Sequence, residues 1–238
     1  MQAVVLCGGR GVRLRPLTDL VPKVMVPVAG RPLVEYIVEK LEGLGLDIIM
    51  VVGYLKEAVM DYFRGRAKFC VQEEPLGTAH ALLAAEALVE SERLVVVNGD
   101  LFFTDDLRWV VEEEPAIVSV YWVEDASRYG AVEVDGDRVV GVIEKGRAGP
   151  GFVNAGIYLF DRSIFRLLRG VEPSPRGEYE LTDAIKKLVE GGSRVRARRL
   201  SGFWADVGRP EDLARVEEYV RGLERLKAQP HTPTEVPA

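Results

Sequence analysis

The sequence predicts an α/β fold: one three-layer domain around a mixed, mainly parallel sheet. Three observations carry the prediction. Apolar runs of strand length alternate with helix-spaced runs through the first hundred residues, the pattern of parallel strands joined by crossover helices. The strand-length runs end in glycine, asparagine or aspartate, where a parallel sheet places its loops. The 238 residues, 47% of them hydrophobic, are enough for one large core or two small domains, and no break in the sequence forces two.

Taken in order, Ala3–Cys7 is a continuous apolar run entering Gly8-Gly9, hence a buried strand that leads into a loop. Pro32–Leu44 carries Leu33, Ile37, Val38 and Leu41 at helical spacing, with Pro32 near its start and Gly45 past its end. Asp47–Val52 reads as a strand, Glu57–Phe63 as a helix and Lys68–Gln72 as a strand. Thr78–Val89 is an alanine-rich helix, and Arg93–Val97 a buried strand that ends at Asn98-Gly99-Asp100. In such sheets ligands lie beyond the carboxyl ends of the strands. The Gly8–Arg13 loop and Asp100 both fall there.

The second half changes texture. Ala116–Val123, Ala131–Val134 and Val139–Glu144 read as strands, with a hairpin turn at Asp135-Gly136. A flexible Gly146–Gly151 connection leads to the strand Val153–Phe160, and helix Leu181–Glu190 follows the turn-rich Glu172–Gly177. Arg194, Arg196 and Arg198 alternate with apolar residues, as an exposed edge strand guarded by charge would. Glu211–Leu226 is a final amphipathic helix closing the one domain, and 227–238 is expected to be a disordered tail.

Net charge is −6, which argues against a general nucleic-acid binder. Its distribution is uneven. Residues 1–34 hold Arg10, Arg13, Arg15, Lys23 and Arg31 against Asp19 alone, a local balance of +4 that leaves −10 for the remainder. A basic loop in an acidic protein suits a phosphate site, although a solvated basic loop would read the same. No apolar run approaches the ~18 residues of a membrane span, and the N-terminus lacks the basic segment of a secretory signal. Cys7 and Cys70 stand alone in apolar runs, as buried small hydrophobes in a reducing cytoplasm would. Amides are scarce, with Gln2, Gln72, Gln229, Asn98 and Asn154 the full set, a thermophile-like composition.

Three of those five amides sit in motifs. Gly8-Gly9-Arg10-Gly11-Val12-Arg13-Leu14 follows a strand, and its glycines let backbone N–H groups surround phosphate oxygens while Arg13 adds charge. No Gly-Lys-Ser/Thr follows, and Leu14 stands where a dinucleotide fingerprint needs glycine. The run continues through Pro16-Leu17-Thr18, then Pro22-Lys23-Val24-Met25-Val26-Pro27-Val28. Further segments are Gln72-Glu73-Glu74-Pro75-Leu76-Gly77-Thr78-Ala79, Asn98-Gly99-Asp100, Tyr129-Gly130, Glu144-Lys145, Asn154-Ala155-Gly156 and Trp204-Ala205-Asp206-Val207-Gly208. This ordered set resembles the sugar-1-phosphate nucleotidylyltransferases, and the resemblance spans roughly residues 2–220.

The resemblance implies a Rossmann-like domain of the nucleotide-diphospho-sugar transferase type. It implies a nucleoside triphosphate and a sugar 1-phosphate as partners, UTP or dTTP with a glucose-like hexose before GTP with mannose, and leaves room for a homo-oligomer or a silent regulatory subunit. Arg13 and Lys23 would face the phosphates, with Asp100 as the third catalytic group. Leu6, Gly8, Gly9, Gly11, Gln72, Gly77 and Thr78 would bind the nucleotide. Gly130, Glu144, Lys145 and Asn154 would bind the sugar, and Asp100 and Asp206 would hold Mg²⁺. The residues agree with that chemistry, because phosphoryl transfer needs charge neutralisation and in-line placement more than a strong base. Only His80 and His231 are present, and His80 reads more readily as a packed helix residue than as a ligand contact. Arg176–Asp183 resembles a segment of the thymidylyltransferase branch, although Thr182 and Asp183 also suit a helix start. Gly146 departs from the family's usual proline, Cys7-Gly8 replaces the commoner Ala-Ala or Ala-Gly, and acetyl transfer is not expected.

Overall fold

In the computed structural model, which describes residues 1–143 and 146–228, strand and helix alternate through the first hundred residues. Strand β1 (Gln2–Cys7) is followed by a short pair, β2 (Pro27–Val28) and β3 (Arg31–Pro32), then helix α1 (Glu35–Gly43) and β4 (Asp47–Val52). Helix α2 (Lys56–Tyr62), β5 (Ala67–Val71), α3 (Thr78–Ala84) and β6 (Arg93–Asn98) complete this half. Residues of β1 alternate between two cores. Ala3, Val5 and Cys7 pack with Ile37 and Leu41 of α1, whereas Val4 and Leu6 pack with Ala79 and Leu82 of α3. Burial on both faces explains why the run is apolar throughout.

The chain continues through β7 (Leu101–Phe103), α4 (Trp109–Glu112), β8 (Ile117–Val123), β9 (Ala131–Asp135), β10 (Arg138–Ile143) and β11 (Gly151–Asp161). Helices α5 (Ile164–Leu168) and α6 (Leu181–Glu190), strands β12 (Arg196–Arg199) and β13 (Trp204–Asp206), and α7 (Pro210–Ala228) complete it. The principal sheet has the order β5-β4-β1-β6-β11-β8-β12-β10-β9. Pairs among β5, β4, β1 and β6 are parallel, as is β8 with β12, whereas β11 and the β9–β10 hairpin run antiparallel to their neighbours. The sheet is therefore mixed, but the expected predominance of parallel strands holds only in the first half. Between β8 and β11 the connections carry no crossover helix, so neighbouring strands return antiparallel.

β11 belongs to both halves. Ile157–Asp161 pairs with β6, Gly151–Asn154 pairs with β8, and Val153 also meets Ala131 of β9. Strands β11, β8, β12, β10 and β9 thereby close into a ring. The strand read as an edge, Arg194–Leu200, is instead interior, held between β8 and β10. Its arginines leave the sheet surface to pair with Asp137 and Glu113. A third, smaller core joins α7 to β7 and β13 through Phe102, Ala205, Val216 and Val220. Helix α7 runs through Ala228, and the tail after it lies outside the described residues. Among the described residues, no helix is long and apolar enough to cross a membrane.

Candidate active site

Strands β1, β4, β5 and β6 end on one rim, so the segments that follow them converge: the glycine loop, Gly53, Gln72 and Gly99-Asp100. Close packing at this rim requires glycine. A Cβ on Gly99 would lie 2.8 Å from both Cys7 Sγ and Leu6 O, and one on Gly53 would lie 2.9 Å from Gly8 O. The loop turns at Gly11 (φ +63°), whose carbonyl accepts from Leu14 N at 2.9 Å and Thr18 Oγ1 at 2.8 Å. That turn lays Gly11 against the Lys23 stem, where a Cβ would approach within 2.8 Å.

Two carboxylates 106 positions apart in the chain meet through a small two-stranded sheet. β13 pairs antiparallel with β7, setting Asp206 opposite Leu101, and Val207 N donates to Asp100 O at 2.9 Å. Lys23 Nζ lies between them, 2.5 Å from Asp100 Oδ2 and 3.8 Å from Asp206 Oδ1. Burial by itself would lower the Lys23 pKa, but Asp100 and Asp206 outweigh it and the net shift is upward, so the ammonium is charged. Asp206 is pushed up to about 6, first by burial and then by the Asp100 carboxylate, against the opposing pull of Lys23 and Arg13. Its Oδ1 is buried without a hydrogen-bond donor among the described residues, and so is Asn98 Oδ1.

Unsatisfied hard oxygens beside a second carboxylate fit Mg²⁺, which uses only one or two protein carboxylates and completes its shell with water and phosphate. Among the described residues no cluster of three or more His, Cys, Asp or Glu forms a fuller cage. Cys7, beneath Gly99, is held by burial well above the ordinary thiol range, and Cys70 is raised to about 11. Neither supplies a thiolate.

Two cavities meet at this cluster. The larger, about 470 Å³, is lined by Leu6, the loop Gly8–Arg13, Gln72, Gly77, Thr78 and Asp100. The smaller, about 220 Å³, is lined by Arg128, Tyr129, Gly130, Asn154, Tyr158, Thr182 and Asp206. Arg13, Lys23, Thr78, Asn98, Asp100, Glu178 and Glu180 border both. Every expected site residue among the described ones therefore lines one cavity or both, while Glu144 and Lys145 lie outside the described residues. Gly146, just after them, has φ +106°, which proline cannot adopt, so the departure from the family pattern is also one of backbone conformation.

Arg128 and Tyr158 line the smaller cavity and escape a reading by motif. Asn154 Nδ2 donates to Tyr158 Oη at 2.7 Å while its Oδ1 accepts from Gly156 N at 3.1 Å, which fixes the amide at the irregularity in β11. Arg128 pairs with buried Asp212 of α7 at 2.9 Å, and Asp212 also accepts from Gly208 N at 3.2 Å. The segment carrying Glu178 and Glu180 docks on the start of α3: Ala79 N donates to Tyr179 O and Leu181 N to Thr78 Oγ1, both at 2.9 Å. The Arg176–Asp183 resemblance was the only sequence signal for these acids. Gly77 makes that docking possible, since its φ is +108° and a Cβ there would fall 2.5 Å from Tyr179 O. Gly77→Ala is expected to lower stability by about 1–3 kcal/mol, as read by melting curves.

The pattern of the nucleotidyl transferase family matches residues 2–221. The chain is 40% identical over 219 residues to the bifunctional protein GlmU of Methanococcus maripaludis, covering 90% of this chain and 53% of that protein. It thus spans about half the length of such relatives. It is 38% identical over 234 residues to the UTP–glucose-1-phosphate uridylyltransferase AglF of Haloferax volcanii, covering 92% of this chain and 96% of that one. Among solved structures, a provisionally assigned glucose-1-phosphate thymidylyltransferase of Bacillus anthracis, complexed with sucrose, superposes with a TM-score of 0.83. That chain is 29% identical, with 93% of this chain and 95% of that one covered. The match to the family pattern over residues 2–221, and the likeness to AglF along nearly its whole length, agree with the α/β fold and the shared cluster: the chain belongs to the nucleotidyl transferase family.

Proposed function

We propose that the chain transfers a uridylyl or thymidylyl group from UTP or dTTP to a hexose 1-phosphate of glucose type, releasing pyrophosphate. The observation that carries this reading is the junction of the two cavities at Lys23, Asp100 and Asp206. A triphosphate in the larger cavity and a sugar phosphate in the smaller would bring their reacting ends to that junction. A phosphate oxygen of the sugar 1-phosphate forms a bond to the α-phosphorus, and the bond from that phosphorus to the β-bridging oxygen breaks. The nucleophile is already anionic, so no general base is required. Lys23 has three N–H groups, of which one faces Asp100, leaving others for the α-phosphate. Arg13, at the exit of the glycine loop, faces the departing pyrophosphate. Mg²⁺ held by Asp100 and Asp206 would add positive charge where the transition state accumulates negative charge.

The pyrimidine preference draws support from Gln72 beside Gly77 and from the likeness to AglF. The test is a matrix of the four triphosphates against several sugar 1-phosphates with Mg²⁺, read by pyrophosphate release. UTP and dTTP are expected to exceed GTP and ATP by about tenfold or more in kcat/KM, because a mismatched base leaves buried polar groups unpaired. A preference for GTP would replace this reading with guanylyl transfer.

A further inference from the structure

His80 lies on α3, with its ring 6.3 Å from that of Tyr179 and turned toward the end of β5. Nε2 of the buried Gln72 lies 3.1 Å from Gly77 O and 3.0 Å from His80 Nδ1. A backbone carbonyl can only accept, so the amide atom facing Gly77 is the NH₂ group. The same nitrogen faces the imidazole, so Nδ1 must also accept, and the ring carries its proton on Nε2. Both N–H bonds of the glutamine are then used within the protein. Its Oε1 accepts from no described residue and lies beside Gly8, where a Cβ would come within 2.6 Å, and both residues line the nucleotide cavity. The cavity therefore meets an acceptor at this point, and not an amide free to present either end.

We propose that His80 is a positioning residue for base selection. By accepting the second N–H of Gln72, beside the one taken by Gly77 O, it completes the hold that keeps Oε1 toward the cavity, so the site takes a base with a ring N–H at the matching edge. Uracil and thymine carry that N–H at N3, whereas cytosine has a lone pair there and would face acceptor against acceptor. A glutamine free to turn over would serve both. The inference rests on the pyrimidine reading above and goes beyond it by naming what fixes the glutamine.

The test is competition between UTP and CTP for the natural protein and for His80→Leu, His80→Ala and His80→Asn. Loss of the acceptor in the Leu and Ala variants is expected to reduce the UTP preference by about tenfold or more, and to reduce it further than it reduces kcat at saturating UTP. Asparagine offers Oδ1 at the place of Nδ1 and should keep the preference within about threefold. Leu and Ala variants that melt normally and discriminate as before would overturn the inference, as would an Asn variant that loses as much as Leu. An independent measurement needs no variant: long-range ¹⁵N–¹H spectra of a chain with two histidines report the tautomer directly. A proton on Nδ1 of His80 sinks the proposal, whereas the Nε2–H form supports it. If the natural protein prefers a purine triphosphate, the pyrimidine reading fails by that fact alone, while the tautomer still reports on the lock.

Discussion

Asp100→Asn and Asp206→Asn are each expected to lower turnover by about 10²-fold or more, the scale on which a phosphoryl transition state loses when a charged group is removed. The two carboxylates act at one point although they enter from different halves of the chain, Asp100 at the end of β6 and Asp206 on β13. Neutralising either leaves a single anion beside Lys23, and the pull on a divalent cation falls accordingly. The effect on stability has the opposite sign. Asp206 is raised from 3.8 to about 6 in the fold, so between those values the native state holds the extra proton and stability declines as pH rises. Above about pH 6 the native state carries an ionised, poorly solvated carboxylate, and asparagine removes it. At neutral pH without Mg²⁺, Asp206→Asn should therefore melt no lower than the natural protein. A variant that retains near-normal turnover throughout a Mg²⁺ titration excludes that residue as a metal ligand.

Lys23→Ala should produce a comparable or larger loss, about 10²–10³-fold in kcat, because it removes the cation held between the two carboxylates, which the proposed reaction places at the reacting phosphate. Here stability falls with activity. The Lys23 pKa is raised in the fold, so its contribution is fully present below the ordinary lysine value of 10.5 and is lost only as pH climbs through the folded value. At pH 7 the variant leaves Asp100 and Asp206 facing each other uncompensated, a penalty of about 1–3 kcal/mol. That deficit should shrink on acidification, as Asp206 takes up its proton. Melting curves at pH 5 and pH 8 separate this electrostatic cause from simple loss of packing, which would be the same at both. Arg13→Ala, which breaks no ion pair among the described residues, should reduce kcat more than the affinity for sugar phosphate. Lost sugar affinity with normal saturated turnover would reassign it to uniform binding.

The first half of the fold was legible because its signals are local. Strands β1, β4 and β6 are apolar runs with both faces buried, and the loops at their carboxyl ends carry the glycines that close packing there demands. Asp100 was legible at the carboxyl end of a strand and Lys23 as a second cation after the glycine loop, whereas a site shared with Asp206 was legible only through the resemblance. The two-stranded contact of β7 with β13 joins residues about a hundred positions apart through runs of three residues, too short to show any period. The arginine-rich β12 misled for a related reason. Alternation reports which face is buried, whereas whether a strand is an edge or a centre depends on what arrives on its other side. The Arg128–Asp212 pair and the docking of Tyr179 on Gly77 are likewise contacts across long separations, with no spacing rule to announce them.

Strand β11 also bears on how the protein is made. As a ribosome releases the chain, β6 emerges with Leu94–Val97 fully apolar and one side already paired with β1. Its other side stays an open edge until residues 157–161 arrive some sixty positions later and close it antiparallel. For that interval, a few seconds to about ten at ordinary rates of synthesis, the open edge of a hydrophobic strand is of the kind that seeds self-association. A chain terminated before β11 would keep that edge permanently. The same strand that brings Asn154 to the smaller cavity is thus the one that ends the nascent chain's exposure to aggregation, and chaperone dependence should concentrate on the stretch of synthesis before it.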